Sequence, residues 1–213
     1  MSAKKITEGS ETGRGRPRAF DPEAAVETAL GLFHARGYDA VGVAELSQAI
    51  GVNPPSLYAA FGSKQGLYER AVARYLGREG AFVSEILAEP GPVAEIGARL
   101  LTRAAEAYGI DRMHLGCLVT DGARNSADEG VCAFTKTLKA AARDRVIARF
   151  RQEFPPESAP GKAERLADFV VVTLAGLSAS ARDGLPPEAL AQAAAIAGAG
   201  FRVACAEAQE MKA

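Results

Sequence analysis

Leu46-Ser47-Gln48-Ala49-Ile50-Gly51-Val52-Asn53-Pro54-Pro55-Ser56-Leu57-Tyr58-Ala59-Ala60-Phe61-Gly62-Ser63-Lys64 decides the fold. A helix of about eight residues, from Val43 to Ile50, is stopped by Gly51, which enters a left-handed turn without a side-chain penalty. Asn53 can cap a following helix. Pro54 stands at its first position, where a missing amide hydrogen costs nothing. Leu57, Tyr58 and Phe61 are its large residues, Gly62 breaks the chain again, and Ser63 caps the next helix. Two short helices about a glycine turn have the layout of a helix-turn-helix. Val43, Leu46, Ala49 and Ile50 are expected to face inward. Ala44 and Ala49 are small where the helices approach, and Val52 plugs beneath the turn. On spacing alone, any small helical hairpin would read the same way.

Upstream, Phe20-Asp21-Pro22-Glu23 opens a helix: Asp21 caps, Pro22 fits the first turn and Glu23 suits the positive dipole end. Val26, Ala29, Leu30 and Phe33 form a helical stripe that ends at Gly37. His34 reads as a surface or edge residue of this helix. Residues 1–19 form a basic, Gly-rich, flexible arm carrying Lys4, Lys5, Arg14, Arg16 and Arg18 against Glu8 and Glu11. The whole chain has a net charge of only −1, so this basicity is local and points to a nucleic-acid contact rather than to a general polycation.

Downstream, a long fourth helix is expected from Lys64 to about Leu87, with Gly77 and Gly80 weakening its middle. After Glu89-Pro90-Gly91-Pro92 the text becomes Ala-rich, with helices near 92–108, 116–126, 129–153, 161–182 and 187–209. No strand-like alternation and no internal repeat occurs, so the fold is all-α. The division expected is a basic flexible arm at 1–19, a helix-turn-helix unit at 20–64, and an all-helical body at 65–213.

Several classes are disfavoured. Cys117, Cys132 and Cys205 are far apart and suggest no disulfide framework, which fits a reducing, cytoplasmic setting. No membrane span and no signal peptide is legible. There is no P-loop, no GxGxxG after a strand, no HExxH and no GxSxG, so an enzyme is not expected. His114, Cys117 and Asp121 lie close in sequence, but one short stretch is weak evidence for a metal site, and neither metal nor cofactor is expected.

The words of the N-terminal third carry a resemblance. Gly15-Arg16-Pro17-Arg18, Ala29-Leu30-Gly31-Leu32-Phe33, Arg36-Gly37-Tyr38, Leu46 to Val52 and Ser56 to Lys64 together resemble the opening of the TetR family of repressors, over about 50 continuous residues. The C-terminal half resembles the family only in its architecture and in Gly116-Cys117-Leu118-Val119. The resemblance implies an omega-shaped homodimer, with a helix-turn-helix DNA-binding domain at 20–64 and a ligand-binding and dimerisation domain at 65–213. Helices one to three form the DNA head, the fourth helix links head to body, and the last two helices of each subunit pack as an intersubunit four-helix bundle. Ala175, Gly176, Ala179, Ser180, Ala193, Ala197, Gly198 and Gly200 suit such close packing, or the packing of an internal core. The implied function is sequence-specific repression from a palindromic double-stranded operator, released by a small effector.

Placed on that pattern, the DNA-contacting residues are Arg14, Arg16, Arg18, Gly42, Val43, Asn53, Pro54, Pro55, Ser56, Tyr58, Ala59 and Lys64. Tyr58 can offer its hydroxyl to a phosphate, Lys64 supplies charge, and Ser56 can reach a base edge. Pro55 and Ala59 can meet thymine methyl groups, and the arm can enter a neighbouring minor groove. Residues 54–61 contain no Arg, Lys, Asn or Gln, so bidentate reading of guanine or adenine is not expected and DNA shape gains weight. The effector cavity is expected to be lined by Phe82, Ile86, Leu100, Tyr108, Cys117, Asp121, Phe134, Phe169 and Thr173. With no cluster of charge legible, the effector is expected to be small and largely apolar. Two alternatives stay open. Cys117, in the first turn of a helix beginning near Gly116, could sense electrophiles or oxidants as a thiolate. Otherwise the chain is a dimeric small-molecule-binding module with weak DNA binding.

Overall fold

The computed structural model describes residues 20–110 and 114–210, and among them every regular element is helical. The order is α1 (Pro22–Arg36), α2 (Val43–Ile50), α3 (Pro54–Phe61), α4 (Lys64–Leu76), α5 (Phe82–Ala88), α6 (Val93–Gly109), α7 (Leu118–Asp121), α8 (Glu129–Phe150), α9 (Lys162–Arg182) and α10 (Pro187–Glu210). The first three helices begin and end at the expected residues. Asp21 accepts from the amides of Glu23 and Ala24, Asn53 from Ser56, and Ser63 from Gly66. Gly51 takes the left-handed conformation at φ 80° and returns its amide to the carbonyls of Ser47 and Gln48.

Two hydrophobic cores result. The first gathers α1 to α4 about Phe33, Tyr38 and Tyr68. The Phe33 and Tyr68 rings meet edge to face at 5.1 Å, as do those of Tyr38 and Tyr68. Phe33 is fully buried, which stabilises the fold by roughly 1.5–3 kcal/mol relative to leaving it exposed. Leu118, Val119 and Ala123 around α7 and Val131 of α8 also join this core. The second core packs α5, α6 and α8 to α10 about Phe150, Phe201, Leu100 and Val170. Gly97 lets α10 lie directly on α6: a Cβ there would stand 2.1 Å from the Phe201 ring.

Four expectations change. The fourth helix does not run on to residue 87. It stops at Leu76, and the chain turns over residues 77–81 before α5. Gly77 and Gly80 lose more entropy in a helix than other residues, and the Gly80 amide returns to the Tyr75 carbonyl at 2.9 Å. The helix expected over 116–126 shrinks to the four residues of α7, because Gly116 at φ 73° and Asn125 at φ 60° take left-handed conformations. Ala44 and Ala49 are exposed rather than inward. The buried pair on α2 is Leu46 and Ser47, one helical turn from the half-buried Val43 and Ile50. Finally, His34 is buried, because the Gly116 carbonyl comes within 3.1 Å of its Nε2.

Candidate nucleic-acid interface and effector cavity

The solvent face of the helix-turn-helix is built by what α3 roots and what it leaves out. Leu57 and Phe61 are buried in the first core, whereas Asn53, Pro54, Pro55, Ser56, Tyr58 and Ala59 are exposed, with Tyr58 46% exposed. Gly42 is exposed and Val43 half-buried at the start of α2, beside the same face. The surface is uncharged and knobbly. Asn53 already spends its side-chain oxygen on the Ser56 amide, so its contribution is to fix the start of α3. Lys64 is half-buried and lays its Nζ 4.0 Å from the centre of the Tyr38 ring. Burial lowers its pKa, while Asp39 and Asp128 oppose that shift. Arg14, Arg16 and Arg18 lie outside the described residues.

Head and body meet in a polar seam that sequence reading does not find. The Tyr38 amide donates to the Gly122 carbonyl at 2.6 Å, and its hydroxyl to Asp128 at 2.8 Å. Burial, reinforced by Asp128, holds the Tyr38 hydroxyl well above the ordinary range. The same hydrogen bond, with the Val131 amide, lowers the pKa of Asp128. Arg182 of α9 donates to the His34 carbonyl at 2.9 Å and stands 3.7 Å from the Asp121 carboxylate. Ser178 donates to Asp121 and accepts from the Cys117 amide at 2.7 Å. Gly116 is required here on two counts. Its φ is positive, and a Cβ would stand 2.8 Å from the Ser178 carbonyl. The seam thus ties α1, α7, α8 and α9 over as many as 148 residues of sequence.

A cavity of about 230 Å³ opens between α4, α5 and the middle of α8, backed by Tyr108, Cys117 and Val119. Of the expected lining residues, Phe82, Tyr108 and Cys117 border it. Ile86 and Leu100 are buried in the second core, and Phe134 packs against the first. Asp121 belongs to the seam. Phe169 is 42% exposed on α9 and stacks on the buried Phe201 ring, and Thr173 bonds back to the Phe169 carbonyl. Lining residues that sequence reading misses include Tyr75, Ser84, Leu138, Lys139, Arg145 and Leu174.

Cys117 stands just before α7, its side chain making no capping bond. A four-residue helix lends it little of the dipole support expected from a longer one. Cys117 shares the cavity lining with Tyr75 and Tyr108. Burial first, and Cys117 second, raise both phenols far above their ordinary range, so they act as neutral groups at the cavity floor. The Cys205 thiol, buried in the second core, is pushed up to about 11 by that burial. Among the described residues, no three His, Cys, Asp or Glu side chains come together as a metal cage.

Comparison with known proteins agrees with this geometry. Residues 25–71 match the family model described as bacterial regulatory proteins, tetR family. The chain is 37% identical to the HTH-type transcriptional repressor BdcR of Escherichia coli (strain K12), over 91% of this chain and 95% of that protein. It is 32% identical to the HTH-type transcriptional repressor ComR of the same strain, over 94% and 97% respectively. A similar solved structure is that of a cysteine mutant of the TetR family transcriptional regulator CifR, complexed with 26bp double-strand operator DNA. It has a TM-score of 0.71 and 36% identity, over 86% of this chain and 98% of that one.

Proposed function

Because the chain belongs to the TetR family of bacterial regulatory proteins, we propose that it is a cytoplasmic transcriptional repressor, a homodimer that leaves a palindromic operator when an effector fills the α4–α8 cavity. The observation that carries the reading is the exposed, locally capped face of α3, matched over almost full length in relatives named as repressors. In this reading residues 20–64 are the DNA-binding unit, residues 1–19 an arm for the backbone or minor groove, and residues 65–213 the effector and dimer unit.

The α3 face would enter the major groove. Pro55 and Ala59 read thymine methyls, Ser56 reads a base edge, and Tyr58 meets a phosphate. With no bidentate side chain on α3, shape and deformability of the operator supply much of the selectivity. Lys64 would leave the Tyr38 ring for a phosphate, adding charge beside the N-terminus of α4.

The dimer is supported by the outer face of α9 and α10. Val172 is 70%, Ile196 75% and Val203 56% exposed, a pattern that isolated soluble helices avoid but subunit interfaces use. By length and composition, α10 from Pro187 to Glu207 could also cross a membrane, with 28% of the span buried. Its most extensive packing is against α6, however, and a second copy of α9 and α10 covers its remaining face in a family whose members work as dimers.

A second reading has one observation in its favour. The Cys117 thiol borders the cavity, so an electrophile admitted there reaches it without unfolding the body. Cys117→Ser would then retain operator binding and lose release by thiol reagents, whereas release by a reversible ligand would survive.

The test is footprinting and fluorescence anisotropy on the promoter beside the protein's own gene, with the oligomer sized by sedimentation. A protected near-palindrome with half-sites about one DNA turn apart, bound by a dimer, is expected. Lys64→Ala should weaken binding to all sequences and reduce the salt slope by about one. Equal affinity for specific and unrelated DNA would overturn the reading in favour of a binding module with a weak head.

A further inference from the structure

Among the described residues most arginines face an acidic partner, although Arg149 of α8 donates only to backbone carbonyls. On α8, Arg143 forms two bonds with Asp168, at 2.5 and 3.0 Å. Arg151 pairs with Glu164, Arg202 with Glu95, and Arg74 with Glu23 and Glu27. The two cations that α8 presents to the cavity differ. Lys139 donates to the Thr120 carbonyl at 2.8 Å, and Arg145 to the Ser84 hydroxyl at 3.3 Å. Both acceptors are neutral, and among the described residues neither cation forms an ion pair. The lining contains no Asp and no Glu.

Position sharpens the contrast. Lys139 and Arg145 are exposed, so they occupy the rim. Six residues apart on one helix, they are separated by about 9 Å along its axis. Each is anchored to a different wall, Lys139 to the α7 side and Arg145 to α5. Phe82, Tyr108 and Val146 are buried behind them. The floor offers the Tyr75 and Tyr108 phenols, held neutral, and a thiol. A charged group driven to that floor would lose its hydration without a compensating charge, whereas at the rim it meets two cations and keeps contact with water.

We propose that the cavity binds a small amphipathic anion, a monocarboxylate with an apolar body. Its carboxylate sits at the rim between Lys139 and Arg145, and its body lies against Phe82, Tyr108, Val146 and Leu174. At about 230 Å³, below the usual range for sites of drug-sized ligands, the cavity suits a ligand the size of phenylacetate. The proposal deepens the reading of this cavity as the effector site, and its role in release rests on that reading, so binding and release are measured separately.

Isothermal titration of the full-length protein with phenylacetate, and with its neutral isostere phenylacetamide, tests it. The carboxylate should bind ~10-fold or more tightly than the amide, with an affinity that falls as salt rises. Lys139→Met and Arg145→Met should each weaken phenylacetate binding by ~10-fold and leave phenylacetamide unchanged. Arg143→Met, which removes a paired arginine from the same helix, should change neither. Equal affinity for acid and amide, no binding of phenylacetate at millimolar concentration, or a Lys139→Met/Arg145→Met double variant that binds as wild type would each overturn the proposal. Operator affinity of the same samples is read by anisotropy. A protein that binds phenylacetate but no specific operator leaves the anion site standing and removes the repressor reading.

Discussion

Head and body are stabilised over different distances in the chain. In the head, Asp21, Asn53 and Ser63 each cap a helix from two or three residues away, and Gly51 closes the turn between α2 and α3. In the body, α6 meets α10 through Gly97 and Phe201, about a hundred residues apart, and Arg202 reaches Glu95 across the same gap. Each head helix is therefore specified by its own few residues, whereas the body forms only when distant helices find one another. What unites them is the polar seam, with α7 lent to the head core.

The largest test of that contrast is truncation of one aromatic in each core. Phe33→Ala and Phe201→Ala should each cost about 3–5 kcal/mol, measured by urea denaturation. Because Leu118 and Val131 belong to the head core, both variants should still unfold in a single transition, by circular dichroism and tyrosine fluorescence alike. If Phe33→Ala instead melts the head while body helicity persists, the seam does not couple the two cores.

A smaller effect is expected at the seam itself. Arg182→Met removes the donor to the His34 carbonyl and the more distant of the two arginines beside Asp121, Arg124 keeping its 2.7 Å ion pair. Operator binding and ligand binding should each persist. The free energy coupling them should fall by about 1–2 kcal/mol, within the usual range for linked sites. The measurement is operator affinity at saturating and zero phenylacetate, for wild type and variant; unchanged coupling would move the signal route away from α9.

The smallest effect concerns Asp128. Its carboxyl titrates below its ordinary value of 3.8 because the Tyr38 hydroxyl and the Val131 amide favour the charged form. A lowered folded-state pKa contributes stability above the unfolded value, and that contribution is lost as pH falls through the folded one. Acid should therefore loosen the Tyr38 tether only below about pH 4. Asp128→Asn should flatten that limb of the stability curve while leaving the limb above about pH 5 parallel to wild type. A parallel curve throughout would show that the bond contributes no pH-dependent stability.

The same difference in reach explains what is legible. The boundaries of α1 to α3 follow from caps and glycines that act within one helical turn, and they can be read to the residue. The burial of His34 depends on a carbonyl 82 residues away, and nothing in the sequence near His34 announces it. Asp121 reads as a cavity acid because two of its partners, Ser178 and Arg182, lie far along the chain; the third, Arg124, is three residues away. The sequence reading singles out neither Lys139 nor Arg145. Only the folded arrangement shows that Arg143, two positions before Arg145, is paired and that these two are not. The expected apolar effector follows from the floor of the cavity, and the proposed anion from its rim.

The interruption between α4 and α5 has a mechanical consequence. A rod running unbroken from Lys64 to residue 87 would carry displacement of the cavity wall straight to the Lys64 end. A rod cut at Leu76 is two stiff segments in series with a compliant link, and strain entering at Phe82 is spent in bending the link. Stiffness must then come from elsewhere. The short stretch from Cys117 to Gly122 supplies it, since it borders the cavity at one end and holds the Tyr38 amide at the other. Shortening α7 costs helix but leaves a short strut between cavity and head.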